Sequence, residues 1–155
     1  MTTPTHIVQL NGFARSPLVD VARPYEDQIR FSVRRMDGAK LWAYSLWRAP
    51  EGANLLAEIP FSEEYIQCAG DADGVTVEVR VVDEAGTAHQ YTVGKPTGRD
   101  GSEPTATIRW DEGRRSTRVH SHEVFTLDEA ADLFVSYYRD DCVPGEYTLR
   151  ELSDV

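Results

Sequence analysis

The sequence predicts a single α+β domain, a twisted antiparallel sheet of about six strands built from hairpins and packed on one C-terminal helix. Two observations carry this reading. Apolar residues alternate with polar ones over several short stretches joined by Gly-containing turns, the signature of antiparallel hairpins. One later stretch instead places its apolar residues at helical spacing.

The strands are taken in chain order. His6–Leu10 is a first candidate. Ile29, Phe31 and Val33 alternate with Gln28, Arg30, Ser32 and Arg34, and Asp37-Gly38 then leads into Leu41–Trp47. Asp-Gly between apolar runs is a hairpin signal, because glycine takes positive φ without strain. Trp42, Tyr44 and Leu46 on one face and Leu41, Ala43 and Trp47 on the other make the second strand central. Between Pro50 and Ile66 the pattern is mixed, with Leu55, Leu56 and Ile59 fitting a short helix.

Val75, Val77, Val79 and Val81 then line one face opposite Thr76, Glu78 and Arg80. The chain turns at Asp83–Gly86 into Thr87–Val93. A third hairpin runs Thr105–Trp110, turns at Asp111-Glu112-Gly113 and returns through Arg115–His120. The stretch 94–104, rich in Gly and Pro, reads as a long loop between hairpins. Leu127, Ala130, Ala131, Phe134, Val135 and Tyr138 form one continuous helical stripe. Thr126 and Glu129 stand as a capping box at its start. Val143-Pro144-Gly145 stops it, and Tyr147–Arg150 is a last strand.

The chain's 155 residues amount to one domain. It carries 26 acidic against 16 basic residues, for a formal net charge of -10. That field repels phosphate backbones and anionic lipid, so neither nucleic acid nor a membrane is expected as partner. It favours encounter with a basic protein, although solubility alone also accounts for it. Cys68 and Cys142 are the only cysteines, too far apart in sequence for a metal knuckle and consistent with a reducing cytosol. No secretory leader or spanning segment is apparent, so a cytoplasmic location is expected.

Chemistry-bearing residues are sparse. His120 and His122 share a strand parity that lets two imidazoles face one divalent ion. Their phase relative to Val119 instead places both rings toward solvent at a strand end. Asp71-Ala72-Asp73-Gly74 echoes the opening of a calcium loop but lacks its later ligands, and reads as a turn. Cys68 and His89 on a neighbouring hairpin admit a Cys–His pair, against which a buried core thiol is the plainer account. Arg114, Arg115 and Arg118 gather with His120 and His122 on one segment, and Arg30, Arg34 and Arg35 on another. Each group suits either a phosphate or acidic partner, or cross-strand charge pairing. No nucleophile elbow, phosphate loop or dinucleotide fingerprint occurs, and no cofactor is expected.

Two stretches carry a family resemblance. One is Gln67-Cys-Ala-Gly-Asp-Ala-Asp-Gly74 with the valine hairpin after it. The other runs from Val124-Phe-Thr-Leu-Asp-Glu-Ala-Ala-Asp-Leu-Phe134 to Val143-Pro-Gly-Glu-Tyr-Thr-Leu-Arg150. In order and rhythm the chain resembles small actinobacterial immunity proteins encoded beside polymorphic toxins, especially those of nucleic-acid deaminases. It departs from them at Leu149, where a tryptophan is expected. The resemblance implies a cytosolic, non-catalytic inhibitor that covers the active site of a cognate basic toxin of deaminase or nuclease type. The acidic turns would then meet the partner through Asp71, Asp73, Asp83, Glu84, Asp111 and Glu112. The competing expectation is a small-molecule or metal-binding domain, or modest enzyme, using His89, His120 and His122. Trp42, Trp47 and Trp110 fit either core or interface.

Overall fold

The computed structural model describes residues 3–96 and 103–153. Its centre is a seven-stranded, wholly antiparallel sheet in the order β2-β1-β3-β4-β5-β6-β9. The strands are β1 (His6–Leu10), β2 (Ala14–Pro17), β3 (Ala43–Arg48), β4 (Tyr65–Asp71), β5 (Gly74–Val82), β6 (Ala88–Gly94) and β9 (Thr148–Glu151). Helices α1 (Tyr25–Arg34) and α2 (Leu127–Asp140) pack against each other and cover one face. A separate hairpin, β7 (Ala106–Trp110) and β8 (Arg115–Val119), lies against the other. Among the described residues no helix is long and apolar enough to cross a membrane.

The core follows from strand parity. Val8, Tyr44, Leu46, Ile66, Cys68, Val75, Val77, Val79 and Val93 point to the helix side and are buried. There they meet Ala130, Ala131, Phe134 and Val135 of α2 and Ile29 and Val33 of α1. Helix α2 begins as its sequence dictates. The Thr126 hydroxyl accepts from the Glu129 N–H at 3.1 Å, and the Glu129 carboxylate accepts from the Thr126 N–H at 2.9 Å. It ends with Asp141 in the left-handed region at φ 56°.

Several expectations change. Residues 25–34 are a helix, not the first strand of a hairpin. Tyr25, Ile29, Val33 and Met36 form a stripe at helical spacing, while Phe31 takes the outer side among arginines. Alternation over the seven residues Gln28–Arg34 was too short to tell one period from the other. Asp37-Gly38 is accordingly the exit of α1. The Asp37 carboxylate accepts from the N–H groups of Ala39, Lys40 and Leu41 and turns the chain into β3.

Residues 50–64 form no helix. Pro50, Gly52 and Pro60 interrupt them, the Asn54 side chain accepts from the Leu56 N–H, and Leu56 is 99% exposed. The β7–β8 hairpin stands as its own sheet, because β6 takes β9 as its outer neighbour. Beside Val75, where β6 has ended, Phe125 completes the ladder with reciprocal 2.9 Å bonds. The 94–104 loop falls largely outside the described residues.

Candidate functional site: the open face of the sheet

The face turned away from the helices is polar along one line. Arg15, Gln9, Ser45, Gln67, Glu78, Thr92 and Arg150 stand in register across all seven strands. Their side chains hold one another: Arg15 donates to Gln9 at 2.6 Å, and the Gln67 and Gln90 amides both donate to Glu78 Oε1. Strand parity produces this rank, since on β1, β3, β4, β5 and β6 each residue alternates with buried residues pointing the other way.

Two structures flank the rank. On one side the 50–64 segment folds over Trp47, whose indole N–H donates to the Pro60 carbonyl at 3.1 Å. Phe61 packs edge-on against that indole at 5.5 Å. Trp47 is therefore core. On the other side sits the β7–β8 hairpin, with Ile108 Cδ1 3.7 Å from the place a Cβ on Gly74 would occupy. Between hairpin and sheet opens a groove of about 520 Å³. Its floor is Gln9, Ala43, Ser45, Gln67 and Ala69, and its walls include Phe13, Trp42, Trp110 and Arg115. The Arg115 guanidinium carbon lies 5.5 Å from the centroid of the Trp42 ring. Phe13 is 78% exposed, and both tryptophans are half-buried. Small residues on the floor and aromatic ones on the walls leave room for an inserted side chain.

The acidic turns divide between the two ends of the sheet. Asp71 ends β4 and Asp73 is the second residue of the two-residue β4–β5 turn, where the Asp71 carboxylate accepts from the Asp73 N–H at 2.9 Å. The β7–β8 tip lies beside it: the Glu112 N–H donates to the Gly38 carbonyl at 2.7 Å, and Gly38 abuts Asp71. Asp71, Asp73, Asp111 and Glu112 therefore share one end with the aromatic groove. Asp83 and Glu84, on the β5–β6 turn, occupy the opposite end. Not all the acid is free. Arg114 bonds Asp111 at 3.1 Å and Glu112 at 3.0 Å, while Asp83 is engaged by His89.

The histidines are dispersed. His89 Nε2 lies 2.8 Å from Asp83 and Nδ1 2.7 Å from Glu151, and hydrogen bonding to Asp83 and then Glu151 raises its pKa. Cys68 points into the core, where burial pushes its thiol up to about 12. It pairs with Val77 and His89 with Val81, so the two stand about 13 Å apart along the sheet, and no Cys–His pair forms. His120 and His122 are buried, at 8% and 6% exposure, rather than solvated. A single 3₁₀ turn, Ser121–Glu123, folds them under the sheet edge, with the His122 ring against Gly94. A Cβ on Gly94 would stand 2.5 Å from that ring and 2.3 Å from the Thr148 hydroxyl. Gly94→Ala is expected to cost about 1–3 kcal/mol by overpacking, measured as a shift in the urea midpoint.

Glu123 completes no metal site, because its oxygens accept from Arg150 and from the His120 N–H. Among the described residues no three His, Cys, Asp or Glu side chains converge as metal ligands. The three histidines do not surround one pocket: His89 and Gly94, which His122 touches, are at opposite ends of β6.

Sequence reasoning missed β2, β4 and the groove with Phe13, Gln9 and Gln67. Polar residues at every second position of otherwise apolar strands were the available signal. No family model matches the chain, and comparison with curated proteins and with solved structures gives no match either.

Proposed function

We propose that this chain is a non-catalytic protein-binding module of the immunity type. It neutralises a basic toxin that acts on nucleic acid, a deaminase or nuclease, by covering the toxin's active site in the cytosol. The observation that supports it best is the aromatic groove beside an acidic end. Tryptophan and arginine dominate the binding energy of protein interfaces, where each sits in a pocket ringed by weaker contacts. Trp42, Trp110 and Arg115 have that composition and placement. The net charge of -10 is complementary to the cationic surface a nucleic-acid enzyme needs. Asp71, Asp73, Asp111 and Glu112 extend the contact, and Asp83 and Glu84 stand outside it.

The test is rescue of growth by co-expression with the toxin-like domain encoded beside this chain's gene, followed by titration of the purified pair. The expected result is a 1:1 complex. Trp42→Ala and Trp110→Ala are each expected to weaken it about 30-fold or more, as hot-spot truncations of ~2 kcal/mol do. Asp83→Asn with Glu84→Gln is expected to leave affinity within about threefold, as peripheral charges do. A complex indifferent to both tryptophans would discard the groove, and absence of rescue would discard the function.

A further inference from the structure

Helix α1 presents a second stripe that the core does not use. Asp27, Arg30, Phe31, Arg34 and Arg35 recur at helical spacing on the side away from Ile29 and Val33. With Arg23 from the segment before the helix, they line an open basin of about 660 Å³. An aromatic ring at the centre of a solvent-facing stripe is out of place unless something covers it. Here two arginines do. The Arg23 guanidinium carbon is 3.5 Å from the Phe31 ring centroid and that of Arg35 is 5.0 Å from it.

The four cations differ in what else they hold. Arg30 pairs with Asp132 and Arg34 with Asp128, both on α2. Those carboxylates are themselves 67% and 76% exposed. Arg23 and Arg35 have no carboxylate within ion-pairing distance among the described residues, and their only side-chain contact of this kind is the ring. Stacking restricts a guanidinium without consuming its N–H donors. Both heads stand on one ring and line one basin, within about 8.5 Å of each other by those two distances, with their donors unused.

We infer that this basin is an anion site for a phosphoryl group carried by a small molecule. A carboxylate has two oxygens and is filled by one bidentate guanidinium, whereas a phosphoryl group has three and can accept from two at once. The rest of the molecule argues against a long polyanion. At physiological salt, screening acts over about 8 Å, so a compact dianion meets the local arginines while an extended strand also meets the acidic surface. The site lies on the helix layer, away from the aromatic groove, and does not depend on the protein-binding reading.

The experiment is an NMR titration of the full chain with inorganic phosphate, inorganic pyrophosphate and a single-stranded oligonucleotide. The expected result is saturable shifts of the Arg23 and Arg35 side-chain N–H signals with pyrophosphate, and weaker ones with phosphate. Arg23→Ala and Arg35→Ala are each expected to weaken binding about tenfold, the scale of a charged hydrogen bond. Phe31→Ala removes no charge yet is expected to weaken binding too, because the heads lose their support. Phe31→Leu serves where the alanine variant does not keep its fold. Arg80→Ala, on the open face of the sheet away from the helices, is the control for net charge. Absence of saturation, or an equal loss with Arg80→Ala, overturns the site. Tighter binding of the oligonucleotide than of pyrophosphate overturns its assignment to a small ligand.

Discussion

Replacing Glu123 by alanine is expected to cost about 3–5 kcal/mol, the scale for stripping one partner from a buried ion pair. Glu123 has no exposed surface, and Arg150 is 28% exposed. Arg150 reaches it with two bonds of 2.9 Å, and the His120 N–H adds a third at 2.8 Å. The pair joins the 3₁₀ turn after β8 to the edge strand β9. Burial works to raise the Glu123 pKa, but Arg150 and the His120 amide outweigh it and hold the carboxyl below its ordinary value. The charged form is thus favoured in the fold, and its contribution is present above the ordinary glutamate range and lost as pH falls through the lowered value. In urea denaturation, the variant is expected to lose stability on this scale, with β9 amides exchanging faster than those of β5. The exposed Glu26–Arg139 pair gives the contrast: Glu26→Ala is expected to cost under about 1 kcal/mol, as surface pairs do. A Glu123→Ala variant no worse than Glu26→Ala would show that the buried pair does not fasten β9.

The elements legible in the sequence are those in which local chemistry and tertiary packing agree. Thr126 and Glu129 fix the start of α2 from within four residues, and Val75–Val79 declare a buried strand face by composition alone. Where packing decides, the sequence is silent. Tyr25–Arg34 satisfies a strand pattern over its middle and a helix pattern over its length; the helix prevails because it packs on α2 and carries Ile29 and Val33 into the core. His120 and His122 look solvated by phase, yet a turn of only three residues after β8 rotates them inward. The groove is assembled from residues 9, 42, 67, 110 and their neighbours, far apart in the chain and joined by strand register and by the docking of the β7–β8 hairpin on the sheet. Register depends on which strands become neighbours, and no short motif records that.

Between about pH 6.5 and 4 the folded chain is expected to lose about 3 kcal/mol of stability through His6 alone, each pKa unit being worth 1.36 kcal/mol. His6 is 2% exposed at the start of β1, against the Tyr138 ring at 4.6 Å. Burial first, and then the neighbouring Arg48 charge, lower its pKa to about 4; Asp141, 3.7 Å away, opposes them without prevailing. The sign follows from proton counting. In the window between the two values the unfolded chain binds a proton that the folded chain does not, so stability rises with pH there and is complete above the unfolded value. The window is also separable from its neighbours. The lowered carboxylates Glu26, Glu123 and Glu129 act below their ordinary value near 4.5. His89, whose pKa is raised, contributes below 6.5 and loses that contribution as pH rises through its folded value. Denaturation midpoints at several pH values should therefore slope upward between 4.5 and 6.5 in the native chain. In a His6→Gln variant the curve should be nearly flat there, whatever its absolute height. An equal slope in both proteins would assign the effect to another group and leave His6 a spectator.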